Sequence, residues 1–251
     1  MTVMFDPGPI RAVVFDIGGT LLDFCGRESR AHVRQGAVRA HAYLNSLGIN
    51  SIELGDYQKR IERRLLFAYL ASRVMRREMD TTAQIRGVHT AMGFALDDPT
   101  LREVARRLYE PVRAIGSADA RTAPTLATLR DRGYRLAVIS NTIAPPPGLD
   151  DHLADQHLLD LLPVRVYSCE VGVPKPHPRI FRAALQRLEL TAHQAVYVGD
   201  KPRIDVAGAR RVGMQTILRH ASDDAARIRP QPDRYIREIA DLVDILPARN
   251  P

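Results

Sequence analysis

Short, wholly apolar runs that stop at a small or polar residue recur along this chain. "AVVF" precedes Asp16, "LAVI" precedes Ser140 and "AVYV" precedes Gly199-Asp200, while "RVYS" (165–168) and "QTIL" (215–218), less purely apolar, look like two more strands. A strand with one wet face would alternate apolar and polar residues. A run that is apolar throughout reads as a strand buried on both faces of a parallel sheet. Helical patterns lie between the runs: Phe181, Ala184, Leu185 and Leu188 fall at i, i+3, i+4 and i+7, as do Ile239, Leu242, Val243 and Leu246. Strands alternating with helices predict an α/β fold with a doubly wound parallel sheet.

From about residue 24 to 115 no strand pattern is visible. Leu101, Val104, Ala105, Leu108 and Val112 make one amphipathic helix, and Ile61, Leu65 and Tyr69 with Leu66, Leu70 and Val74 make another. Residues 29–47 and 81–93 read as two more. The expectation is a bundle of about four helices inserted after the first strand, and 251 residues suit a core with such an insertion.

No stretch approaches the ~18 uninterrupted apolar residues of a membrane span. The start, "MTVMFDPGPI", carries an acid and two prolines where a signal peptide needs a basic start and an apolar run. A cytoplasmic protein with no membrane partner is expected. The net charge of +7 comes almost wholly from arginine, with lysine only at 59, 175 and 201. Arginines interleaved with acids, as in "RIERRL" and "LREVARRLYE", read as solvated helix faces rather than a nucleic-acid site. Two cysteines, Cys25 and Cys169, are too few for a disulfide framework or a cysteine-based zinc site.

Ligands of an open parallel sheet bind beyond the carboxyl ends of its strands. Asp16, Ser140 and Asp200 stand at three such ends, and Lys175 follows a fourth run in "VGVPKPHPRIF". Each alone is ordinary, since an aspartate after a strand is usually a turn or cap residue. Together they suggest more. Two carboxylates suit Mg²⁺, which takes a few carboxylate ligands along with water and substrate phosphate. A lysine and a hydroxyl beside them suit the phosphate itself. The residues by themselves point to metal-assisted phosphoryl chemistry.

Four segments, in order, resemble the motifs of the haloacid dehalogenase-like hydrolases. They are "FDIGGTLLD", "LAVISNT", "KPHPRIF" and "VGDKPRIDVAGARRVGM", the last being the most specific. The resemblance covers almost the whole chain. It implies a Rossmann-like core from residues 1–23 and 116–251, with 24–115 as a C1-type helical cap. The stretch between the second and third motifs is too short for a C2-type cap. By the same resemblance Asp16 is the nucleophile, and Mg²⁺ is held by Asp16, the Gly18 carbonyl, Asp200 and Asp205. Asp205 has two other readings, as the group that orients Lys175 or a bound water, or as a helix cap. Ser140, Asn141, Lys175 and Gly19 would bind the phosphate, with Ser140 and Lys175 sharing in catalysis. Sugar kinases of the actin-like ATPase class also write D-x-G-G-T, but they need further glycine-rich nucleotide motifs that this chain lacks.

Gly18 departs from the family pattern. Phosphatases of the family carry there an aspartate that protonates the leaving oxygen and later activates water. The expectation is a Mg²⁺-dependent phosphatase of a small phosphorylated molecule, its missing acid replaced by water, a good leaving group or another side chain. Glu28, His32, His41 and Asp23 are the candidates. The alternatives are different chemistry at Asp16 or a phospho-ligand-binding protein with little turnover. Dehalogenases dispense with the metal and lack the G-D that "VGD" retains here. Phosphonoacetaldehyde hydrolases use a cap lysine as a Schiff base; the cap lysine here, Lys59 in "YQKRIERR", reads as a solvated face.

Overall fold

The computed structural model describes residues 5–24, 30–49, 51–75, 80–142, 146–220 and 227–249. Its strands are β1 (Ala12–Phe15), β2 (Asp23–Phe24), β3 (Gly116–Ser117), β4 (Arg135–Ser140), β5 (Val164–Tyr167), β6 (Ala195–Gly199), β7 (Gln215–Arg219) and β8 (Arg234–Ile236). Its helices are α1 (Arg30–Ser46), α2 (Leu54–Met75), α3 (Thr81–Ala91), α4 (Asp98–Arg113), α5 (Thr122–Asp131), α6 (Pro146–Asp155), α7 (Ser168–Val171), α8 (Pro178–Leu188), α9 (Ala207–Val212) and α10 (Leu242–Ile245). The chain divides into two compact units. One comprises Met1–Phe24, Ser117–Asn141 and Leu153–Pro251; the other comprises Cys25–Gly116 with Thr142–His152.

The first unit holds a parallel six-stranded sheet in the order β5-β4-β1-β6-β7-β8. Both faces of the central strands β1, β4 and β6 are buried, which is why AVVF, LAVI and AVYV read as unbroken apolar runs. Ala12, Val14, Ala137 and Tyr197 face a cluster that includes Ile180, Phe181 and Leu185 of α8. Val13, Phe15, Val138 and Val198 alternate with them toward the opposite face and are just as buried. In register, Phe15 lies level with Val138 on one side and Val198 on the other. The central β1 thus has its neighbours added in opposite directions, which opens a crevice at the carboxyl ends of β1, β4 and β6.

Two readings along the chain shift. The pattern expected as one helix from Ile239 to Leu246 is a 3₁₀ turn (Ile239–Asp241) followed by the single-turn α10. The Asp241 carboxylate accepts from the Arg237 and Glu238 amides, and Pro247 bars extension. Ser168, read as the end of a strand, is the first residue of α7.

The second unit packs α1–α4 around Ala40, Leu44, Tyr57, Ile61, Ile85 and Leu101. Asp80 and Asp97 start α3 and α4 by accepting from the amides of Ala83 and Thr100, each at 2.9 Å. Gly36 lets α1 and α4 meet backbone to backbone: a Cβ there would stand 2.2 Å from the Leu108 carbonyl oxygen. Among the described residues no helix is long and apolar enough to cross a membrane.

Candidate active site

Lys175 is the hub of the site. Its side chain is 2% exposed, and its Nζ donates to Asp16 Oδ1 at 2.6 Å, Asp205 Oδ1 at 2.8 Å and the Tyr197 hydroxyl at 2.8 Å. Asp16 follows β1 and is tied to the next strand by its amide, which donates to the Val198 carbonyl at 2.9 Å. Asp205 lies in a π-helical turn, Pro202–Val206, of the kind that often marks functional sites. Its Oδ2 accepts from the Asp200 and Lys201 amides at 3.2 and 2.9 Å, and its Oδ1 also accepts from the Tyr197 hydroxyl at 3.3 Å. Both oxygens of Asp205 are therefore engaged by the chain itself. Asn141 fixes the other end of Lys175: its Nδ2 donates to the Lys175 carbonyl at 3.0 Å, and its Oδ1 accepts from the Lys175 amide at 2.6 Å. Ser140 closes β4 and is buried.

Carboxylate outnumbers ammonium here. Asp16, Asp200 and Asp205 each offer an oxygen within 4.8 Å of the others. Burial alone would lower the Lys175 pKa, but Asp16 and Asp205 outweigh it and keep the amine charged. Burial raises the Asp16 pKa, and Asp205 adds to the rise against the pull of Lys175. Burial likewise pushes Asp200 up to about 6, with Lys201 opposing and Asp16 and Asp205 adding. Asp200 Oδ1 is buried with no hydrogen-bond partner. A cluster of hard oxygen donors, short of positive charge and with one buried oxygen unsatisfied, fits a Mg²⁺ ion.

The loop after Asp16 is built by its backbone. The Leu21 and Leu22 amides donate to the Ile17 carbonyl at 2.9 Å each, and the Gly19 amide donates to the Leu22 carbonyl at 2.8 Å. Arg219, at the end of β7, donates to the carbonyls of Gly19 and Thr20 at 3.1 and 3.2 Å and to both oxygens of Asp23 at 2.7 Å. Gly19 is left-handed at φ 84°, and a Cβ there would stand 2.4 Å from Asp200 Oδ2. Gly19→Ala is therefore expected to destabilise the protein by at least ~1–2 kcal/mol, the ordinary cost of a left-handed residue, with the clash in addition. A urea midpoint equal to that of the wild type would contradict this. Gly18 is not left-handed, and a Cβ there would meet only Phe24 Cε2 at 3.6 Å, an ordinary contact.

Thus the structure brings Asp16, Lys175, Asn141, Asp200 and Asp205 together, with Gly18 and Gly19 on the adjoining loop. The substitutes for the missing acid fare less well. Asp23 is held on both oxygens by Arg219. His41 sits in the helical unit with Nε2 against the Ile52 carbonyl at 2.7 Å and Nδ1 against Asn45 Nδ2 at 3.3 Å. His32 lies half-buried on α1 and has a partner of its own. Glu28 and Cys25 fall outside the described residues. Lys59 is exposed on α2. Tyr197, Arg219 and Lys201 were not singled out in the sequence; the signal for Tyr197 was a hydroxyl inside an otherwise apolar strand.

A family model described as haloacid dehalogenase-like hydrolase matches residues 10–213. The chain is 32% identical over 211 residues to a glyceraldehyde 3-phosphate phosphatase of Methanothermobacter thermautotrophicus, covering 83% of this chain and 85% of that protein. It is 37% identical over 92 residues to a phosphoserine phosphatase of Thermus thermophilus, covering 37% of this chain and 36% of that one. Of solved structures, a HAD phosphatase from Thermococcus onnurineus superposes with a TM-score of 0.58 at 25% identity, covering 96% of this chain and 99% of its own. A 2-haloacid dehalogenase from Pseudomonas syringae shares the fold with a TM-score of 0.61 at 23% identity, over 94% and 98% of the two chains.

Proposed function

This chain belongs to the haloacid dehalogenase-like hydrolases, and on that premise we propose that it is a Mg²⁺-dependent phosphatase of small phosphorylated metabolites. The observation that carries this reading is Asp200 beside Asp16, in a cluster of three carboxylates with one buried ammonium, Lys175, and one half-exposed, Lys201. A haloacid brings a carboxylate of its own, which such a site would repel. A phosphate that arrives with a divalent cation is accommodated.

Asp16, Asp200 and the Gly18 carbonyl would hold the ion, which supplies positive charge to the bound phosphate. Lys175 holds Asp16 Oδ1 and steadies the phosphoryl oxygens as charge moves onto them. Asp16 attacks phosphorus, the bond to the leaving oxygen breaks, and water later releases phosphate from the aspartyl-phosphate. Asp205 and Tyr197 keep the ammonium aimed, Asn141 keeps its backbone in place, and the Ser140 hydroxyl and Asn141 amide bind phosphate oxygens. Residues 24–115 act as the cap that selects the substrate, and the protein works in the cytoplasm. The test is phosphate release across triose phosphates, other sugar phosphates, phosphoserine, nucleotides, aryl phosphates and acyl phosphates. Release that stops when a chelator removes Mg²⁺ is expected. Release without Mg²⁺, or halide release from haloacids, would overturn the reading.

Gly18 cannot protonate a leaving oxygen. Aryl and acyl phosphates, whose leaving groups depart as anions, are therefore turned over faster than alkyl phosphates. Gly18→Asp supplies the acid at a position where an added Cβ makes only an ordinary contact with Phe24. It should raise alkyl-phosphate hydrolysis by about tenfold or more, short of the ~10²–10⁴ that a fully positioned acid/base contributes. A folded, Mg²⁺-binding variant with no gain on any alkyl phosphate would count against this account.

A further inference from the structure

Lys201 has no role in the chemistry above, yet its ammonium stands among the oxygens read there as magnesium ligands. Its Nζ donates to the Gly18 carbonyl at 3.4 Å and lies 3.4 Å from Asp200 Oδ1, the buried oxygen without a hydrogen-bond partner. Its backbone is pinned at the start of the π-helical turn. The amide donates to Asp205 Oδ2 at 2.9 Å, and the carbonyl accepts from Ile204 and Asp205 at 3.1 and 2.7 Å. The position of the side chain is thus fixed at its root. Its far end is free to move, because the side chain is 54% exposed on a flexible four-carbon stem.

We propose that Lys201 is an internal competitor of the divalent ion: in the metal-free protein its ammonium takes the metal position, and it swings to solvent when the ion enters. The inference rests on the reading of Asp16, Asp200 and the Gly18 carbonyl as the magnesium site. The physical argument is charge. A carboxylate oxygen and a carbonyl oxygen, with the Asp16 and Asp205 carboxylates close by, attract a cation, and an ammonium and a divalent ion cannot share the same two oxygens. A competitor that is half in solvent holds weakly, so it tunes metal affinity without closing the site.

The chain has only three lysines, which makes the test direct. Lys175 is buried and Lys59 is exposed on α2, so Lys59 serves as an internal reference for amine acetylation of the whole protein. Peptide mass spectrometry should show Lys201 labelling rise at least about twofold relative to Lys59 when Mg²⁺ is added. The Asp200→Asn variant should show no such response. By calorimetry, Lys201→Met should bind Mg²⁺ about two- to fivefold more tightly than the wild type, the range expected for removing one weak exposed competitor. Mg²⁺ binding to the wild type with Lys201 labelling unchanged would overturn the inference and leave the metal site standing. No Mg²⁺ binding to the wild type would overturn both.

Discussion

Asp16→Asn is expected to lower turnover by at least ~10⁴-fold, the scale on which a covalent nucleophile is lost, while the protein stays folded. An amide attacks phosphorus poorly and is a weaker ligand for a hard cation. The fold should tolerate the change, because burial and Asp205 already raise the Asp16 pKa and so disfavour its charged form. A neutral residue of the same shape relieves that tension. Phosphate release from the best substrate of the panel, read beside a thermal melt, checks both halves. Turnover within ~10-fold of wild type would rule out the aspartyl-phosphate route.

Lys175→Met should be the most destructive single change for stability, and it should cost activity as well. The ammonium is the buried counter-charge of Asp16 and Asp205 and a donor to Tyr197. Removing one partner of a buried ion pair typically costs ~3–5 kcal/mol, and loss of one positioned electrostatic donor typically costs ~10²–10³ in turnover. The pH dependence has a definite sign. Without the ammonium, the carboxylates bind protons more tightly in the folded than in the unfolded state, so stability rises as pH falls. The deficit measured by urea unfolding should therefore be smaller at pH ~5.5 than at pH ~7.5: the unfolded carboxylates are ionised at both, and only the folded ones take up protons between them. A variant as stable as wild type at both pH values would show that the buried pair is not what holds the site together.

The strands β1, β4 and β6 were legible because burial on both faces leaves the runs AVVF, LAVI and AVYV along them. The same physics hid Tyr197. An aromatic in an apolar run reads as core, and Tyr197 does pack edge-on against Phe181 at 5.2 Å; only its hydroxyl belongs to the site. Arg219 was hidden by abundance, being one of 36 lysines and arginines. The helix α6 was hidden by its first residues, since Pro146-Pro147-Gly148 resemble a loop although proline is at home at a helix start. The strand β8 is three residues long with Arg234 exposed, too short for a pattern. For Asp205 three roles were open. A lysine 30 residues away in the chain occupies one of its oxygens, and no local pattern reports such a contact.

The loop after Asp16 also shows how this chain can hold a glycine at residue 18. Its shape is written in main-chain bonds and in the grip of Arg219 on two carbonyls and Asp23, and the side chain of residue 18 contributes nothing to it. Architecture and reactivity are therefore separable at this position. The acid can be lost, or regained in one substitution, without redrawing the scaffold that aligns the nucleophile.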